Sequence, residues 1–146
     1  MLSKTCKYAL RAIIFIGKNC TGKKVRVKEI TDEIDVPSHF VAKILQNLVK
    51  DGLVASTKGP SGGFYIDRKL SDISLYDIIE VVEGKEYFEF CLLKNEPCNC
   101  QNEKETHCPL HAKFGPVKQQ VVDYYKQTSI QDIISDMESH EQWVKL

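Results

Sequence analysis

The sequence predicts a mainly α-helical chain carrying one small β-hairpin, and three observations predict it. Apolar residues recur at helical spacing through most of the 146 residues. The exception is a pair of short β-branched or aromatic runs around Gly59-Pro60-Ser61-Gly62-Gly63, which reads as a hairpin. Capping signals, Ser74 with Asp77 and Ser129 with Asp132, stand where further helices begin.

Taken in order, residues 3–19 place Tyr8, Ala9, Ala12, Ile13, Phe15 and Ile16 on one helix, ending near Gly17–Asn19. Val25-Arg26-Val27 is short and β-branched, and Lys28–Ile34 then forms a brief helix closed by Val36-Pro37. Ser38 is expected to cap the next helix, residues 39–51. That helix buries Val41, Ile44, Leu45 and Leu48, and Gly52 stops it. Strands Leu53–Lys58 and Phe64–Asp67 follow, joined by the glycine-rich turn with an expected mobile tip. Ser74 opens a helix through Val82 that Gly84 ends, and residues 85–107 have no period and read as a long loop. From Pro109 the chain is helical again, with Phe114, Val117, Val121, Val122 and Tyr125 as a stripe. Pro116 should kink this helix or mark its true start. A last helix spans Ile130–Met137.

Charge divides the chain in two. The 20 basic residues cancel the 20 acidic ones overall, yet residues 1–70 hold 13 basic and 6 acidic side chains and residues 71–146 hold 7 and 14. Net charge is therefore +7 on the front half and −7 on the back half, the pattern of a molecule with two tasks. Six cysteines are present, four of them (Cys91, Cys98, Cys100, Cys108) within 18 residues. The apolar run 12–17 ends in Lys18 and is too short for an export signal or a membrane span. A cytoplasmic location is expected, where clustered thiols more often bind metal than form bridges.

Three helices, the third with a polar exposed face, followed by a two-stranded hairpin, form the order of a winged helix-turn-helix. A helix that enters the major groove needs donors pointing outward. Ser38, His39, Lys43, Gln46, Asn47 and Lys50 supply them on the third helix, with Lys28 on the second and Lys58, Gly59, Pro60 and Ser61 at the wing tip. The net +7 supplies the salt-sensitive part of affinity for double-stranded DNA. A solvated helix face also carries such residues, so the charge division and the order of elements carry the inference. The turn is no phosphate-binding loop, because no Gly-Lys-Ser/Thr follows.

Tyr8-Ala9-Leu10-Arg11-Ala12, Leu48-Val49-Lys50-Asp51-Gly52-Leu53-Val54, Lys58-Gly59-Pro60-Ser61-Gly62-Gly63-Phe64 and Cys108-Pro109-Leu110-His111 together resemble the IscR/NsrR/CymR family of winged-helix regulators, the Rrf-two family. The similarity covers roughly residues 1–135, and Ser61 stands where many members have Gly. It implies a homodimeric bacterial transcription factor acting on a palindromic operator. The organisation expected is residues 1–84 as DNA-binding domain, 85–108 as cysteine-rich sensor loop, and 109–146 as long dimerisation helix and tail.

Thiolates suit soft metals and iron–sulfur clusters, and a widely spaced loop can wrap a cluster, whereas zinc knuckles usually pair cysteines two residues apart. In the resembled family, cluster-binding members carry three cysteines in this loop. Carried over, Cys91 is the first and Cys108 the last, fixed by the following Pro109-Leu110-His111. Cys98 is the middle ligand with Cys100 as the alternative, and His111 is a candidate fourth ligand. Other members borrow a carboxylate from the partner's first helix, which Lys7 argues against here. Cys6 reads as a buried small side chain with an outside claim to the cluster, Cys20 as structural, and His107 as solvated. The function implied is a repressor whose DNA affinity depends on a [2Fe–2S] cluster that sets where helix 109–127 begins. The alternative is a cluster-free regulator of the same fold that senses thiol state, another metal or a metabolic enzyme partner. An enzyme is not expected, since the loop offers no convincing catalytic pair.

Overall fold

The computed structural model describes residues 2–19, 23–94, 96 and 109–139. Among them the chain forms six α-helices and one two-stranded antiparallel sheet: α1 (Lys4–Asn19), α2 (Val27–Ile34), α3 (Ser38–Lys50), β1 (Ala55–Thr57), β2 (Gly63–Tyr65), α4 (Leu75–Glu83), α5 (Pro109–Gln127) and α6 (Ile130–Ser139). Short 3-10 turns, Leu70–Asp72 and Lys85–Phe88, bracket α4.

The core gathers around α1, because that helix is apolar on more than one side. Ala9, Ala12, Ile13 and Ile16 are fully buried, and α1 packs against α2, α3, α4 and α6. Small residues at Ala9 and Ala12 let neighbouring helices approach, and Ile30, Leu45, Leu48, Ile78 and Ile79 fill the space between them. Gly17 faces α6 closely: a Cβ there would lie 2.9 Å from the Ile134 Cδ1 atom. The chain's last described helix thus returns to its first, with Ile130 and Ile134 buried in the same core. A backbone bond from Ile130 N–H to the Ile73 carbonyl (2.9 Å) ties that return to the start of α4.

Between α2 and α3 the chain reverses at Asp35, which takes the left-handed conformation (φ 52°, ψ 53°) and donates its N–H to Thr31. Aspartate tolerates that region better than most residues. The helix that follows starts one residue earlier than the sequence suggests. Pro37 occupies the N-cap, its carbonyl accepting from Phe40 and Val41 N–H, and Ser38 makes no side-chain cap bond. Proline's fixed φ, here −55°, pre-sets that turn. At the far end Gly52 adopts φ 72°, the expected stop.

The strands are shorter than the sequence suggests, for a local reason. Leu53 and Val54 donate to the Leu48 carbonyl and are buried, so they finish the exit from α3 instead of starting the hairpin. The remaining register pairs Ala55 with Tyr65, Ser56 with Phe64 and Thr57 with Gly63. Val25 adds a bridge on the other edge of β2, exchanging two 2.8 Å bonds with Phe64. The tip is a hydrogen-bonded turn, Gly62 N–H donating to the Gly59 carbonyl at 2.9 Å. Its glycines serve close approach: a Cβ on Gly62 would run into the Thr57 carbonyl, and one on Gly63 would meet the Val25 carbonyl.

Both capping boxes form as the sequence predicts. Ser74 Oγ accepts from Asp77 N–H (3.2 Å) while Asp77 accepts from Ser74 N–H (2.8 Å), and Ser129 with Asp132 repeats the arrangement at 3.1 and 2.8 Å. Pro116 lies inside α5, which runs through it from Pro109 to Gln127. No helix among the described residues is long and apolar enough to cross a membrane.

Candidate functional site

Two regions carry chemistry. The first is the surface formed by α2, α3 and the hairpin. On α3 the core side takes Val41, Ile44, Leu45 and Leu48, which leaves Ser38, His39, Lys43, Gln46, Asn47 and Lys50 exposed. Tyr8 of α1 meets Phe40 edge-on, with centroids 5.8 Å apart, and fixes the rotation of α3 that presents those donors. Lys58, Gly59, Pro60 and Ser61 are exposed at the hairpin tip, and Lys28 is exposed at the start of α2. Lys28 and Ser61 come together on one concave surface.

Three further cations belong to that surface and were not among the residues singled out from the sequence: Lys23, Lys24 and Arg26. The Arg26 guanidinium donates to the Pro60 carbonyl, and Lys24 Nζ sits 5.5 Å from the centre of the Tyr65 ring. Lys23 pairs with Glu29 at 3.3 Å, and Glu29 also accepts from Arg26 N–H at 2.8 Å. These donors hold the exposed Glu29 carboxyl below the usual carboxylate range. The signal was present in sequence as the run Lys23-Lys24-Val25-Arg26, but only the bridge from Val25 to Phe64 sets it beside the hairpin.

The second region surrounds Cys91. Phe90, Cys91, Leu110, His111, Phe114 and Lys118 line a mostly apolar pocket between the segment after α4 and the first turns of α5. Cys91 is half-buried and its sulfur accepts a 3.4 Å bond from Leu93 N–H. Lys118 closes one side, donating to the Phe90 carbonyl (3.2 Å) and lying 5.2 Å over that ring. The His111 ring lies over Gly115, whose missing side chain leaves its Nε2 3.6 Å from the Cβ position. Two of the candidate metal ligands, Cys91 and His111, therefore share one pocket. Cys98, Cys100 and Cys108 lie outside the described residues, as do Cys20 and His107. Among the described residues no group of three His, Cys, Asp or Glu side chains is gathered at metal-binding range.

Aromatic contacts tie the pocket to the helical core. Phe90 meets Phe114 of α5 at 6.2 Å and Tyr87 at 6.5 Å; Tyr87 stands edge-on to Phe88 at 5.2 Å. Phe88 stacks on Tyr76 of α4 at 4.3 Å and contacts Tyr125 of α5 at 6.2 Å. A displacement at Cys91 thus meets a packed series of rings reaching α4 and α5, where interiors transmit strain.

Cys6 belongs to neither region. It is fully buried, and burial together with the neighbouring Glu83 carboxylate pushes its thiol up to about 12. Glu83 also accepts from Ser3 N–H at 2.9 Å, joining the end of α4 to the start of α1. Its place among the fully buried side chains of the core makes Cys6 a packing residue.

Comparison with known proteins accords with this arrangement. A protein of Aquifex aeolicus (strain VF5), inferred to be an HTH-type transcriptional regulator, is 36% identical over 140 residues, spanning 96% of this chain and 95% of the relative. Among solved structures, CymR, the global cysteine regulator of B. subtilis, superposes with a TM-score of 0.79 at 20% identity, covering 93% of this chain and 97% of CymR. IscR of T. potens gives 0.78 at 21% identity, covering all of this chain and 93% of IscR. At those identities the likeness is one of fold: a mostly helical winged-helix architecture with a small antiparallel hairpin. The family model described as "Rrf2: Iron-dependent Transcriptional regulator" matches residues 2–136. The chain belongs to the Rrf2 family of transcriptional regulators.

Proposed function

We propose that this protein is a homodimeric, DNA-binding repressor whose affinity for a palindromic operator is set by the state of the loop that begins at Cys91. The observation that carries the reading is the sharing of one pocket by Cys91 and His111, joined through Phe90, Tyr87, Phe88 and Tyr125 to the helices that would hold the dimer. The exposed donors on α3 read base edges, and Lys28 with the hairpin tip holds the phosphate backbone. The exposed stripe Leu110, Val117, Val121 and Tyr124 on α5 repeats at spacings of seven, four and three residues, the pattern of a helix–helix seam with a second copy.

A thiol and an imidazole that share a pocket lined by apolar side chains and closed on one side by Lys118 are donor types suited to an iron–sulfur centre. Cys91, Cys98 and Cys108 would hold a [2Fe–2S] cluster, with Cys100 as the alternative middle ligand and His111 as the fourth. When bound, the cluster supplies sensitivity to oxidation and to nitric oxide. The protein's part is to order the loop and fix where α5 begins, and through α5 the separation of the two reading helices. Protein purified without oxygen is expected to absorb in the visible range and to contain iron and acid-labile sulfide in equal amounts, with Cys91→Ala and Cys108→Ala losing both. Variants that keep their iron and an unchanged DNA response to oxidant would contradict the proposal. Colourless, metal-free wild type that still binds DNA would transfer the sensing role to the thiols themselves or to a partner protein.

A further inference from the structure

We propose that Arg26 is a positioning residue for the wing: its guanidinium, held at the start of α2, clamps the hairpin tip in the conformation that meets DNA. The inference rests on the DNA-binding reading above and adds a residue which acts through others.

The arrangement is built from both ends. Arg26 follows Val25, whose N–H and carbonyl both bond to Phe64 of β2 at 2.8 Å, so its backbone moves with the hairpin. Its own N–H is held by Glu29 at 2.8 Å, which anchors the same residue to the first turn of α2. From that fixed origin the side chain reaches 34 residues along the chain to the Pro60 carbonyl. Pro60 is a central residue of the Gly59–Gly62 turn, and its carbonyl would otherwise face solvent. A charge-assisted bond is stronger than a neutral one, and the planar fork loses little freedom in making it, so the exchange for water leaves a small net gain.

The consequence is preorganisation. Lys58 and Ser61 flank Pro60 on an exposed tip whose two neighbouring glycines give it little side-chain packing of its own. Without the clamp, the tip would be held by the 2.9 Å bond between Gly62 and Gly59 and by the adjoining pairing of Thr57 with Gly63. With it, Lys58 and Ser61 keep a fixed position relative to α2, and Lys28 and Ser61 present one concave surface to a phosphate backbone. Ordering a loop before binding removes that cost from the binding step.

Two measurements test this on the full-length protein. Hydrogen exchange at the Gly62 amide, without DNA, should be faster in Arg26→Ala than in wild type, with the melting temperature unchanged because Arg26 is exposed. Binding to a duplex selected from a random-sequence library should weaken roughly 3- to 10-fold in Arg26→Ala, the range of one charge-assisted bond at an exposed position. The same substitution in a background lacking both tip contacts, Lys58→Ala with Ser61→Ala, should cost less than about twofold, since the contacts it positions are already gone. Full, additive loss in that background would make Arg26 a direct phosphate contact and overturn the positioning role. Unchanged exchange at Gly62 would overturn the clamp itself. Arg26→Lys should restore part of both exchange protection and affinity; restored affinity with exchange as fast as in Arg26→Ala would also overturn it. Failure of wild type to select any duplex would count against the DNA-binding reading, while the exchange result would still judge the clamp.

Discussion

Cys6 and Glu83 illustrate how single residues are set by their surroundings. Glu83 ends α4, yet its carboxylate lies at the N-terminal end of α1, where it accepts from Ser3 N–H and suits the positive end of that helix. The nearby Cys6 thiol is raised from 9.0 to about 12, first by burial and then by that carboxylate. Between those values the folded state keeps a proton that the unfolded state loses. This contribution to stability is complete below pH 9 and is lost as pH rises towards 12. Unfolding free energies from urea titration at pH 8 and pH 10 should differ more for wild type than for Cys6→Ala, by up to about 1.4 kcal/mol for each pH unit above 9 for the one proton involved. Equal differences in both proteins would mean that the thiol is not perturbed. Cys6 is readable in the sequence as a buried small side chain, but its interaction with Glu83, 77 positions away, is not. Arg26 is a parallel case: a cation in a polar run has no visible role until Val25 is found paired with Phe64.

At the scale of elements, local signals were legible where one residue type dictates one geometry. Ser74 with Asp77 and Ser129 with Asp132 both form reciprocal caps, and hydrogen bonds from Ser129 hold the Asp132 carboxyl below its usual range. Because that carboxyl is lowered in the folded state, its contribution is complete above the ordinary carboxylate range and is lost as pH falls below that range through the lowered folded value. Ser74→Ala should destabilise by about 1 kcal/mol in urea titration, with the far-ultraviolet spectrum of the folded protein unchanged. Ser38 looked like the same kind of signal and is not one, since Pro37 sets the turn before it. The glycine-rich sequence of the hairpin predicts a mobile tip, whereas the structure uses Gly62 and Gly63 for contact between backbones. Gly62→Ala should therefore weaken duplex binding by roughly 5- to 150-fold while the helical signal persists, as expected for overpacking costing on the order of 1–3 kcal/mol confined to the wing. Unaltered binding by Gly62→Ala would mean that the wing's shape does not matter to DNA.

For the whole molecule, the charge division separates a basic front half from an acidic back half, and the packing of α1 against α4 and α6 joins them. Order of elements and charge made the winged-helix class readable. The return of α6 onto α1 was not, because Ile130 and Ile134 announce an amphipathic helix without naming its partner. The exposed stripe on α5 carries the prediction about assembly: Val121→Glu should shift the sedimentation coefficient from dimer to monomer and abolish binding to a palindromic duplex, while a single half-site is still bound weakly. A wild-type monomer would contradict that seam.

Coupling between the Cys91 pocket and the reading surface is the central claim, and one comparison tests it most directly. The dissociation constant for a selected duplex is measured at fixed salt, before and after chelation of metal, for wild type and for Cys91→Ala. Wild type should change by about 5- to 150-fold, the range of ordinary site–site coupling, and Cys91→Ala should give one value under both conditions. The same change in both proteins, or none in wild type that carries metal, would contradict it.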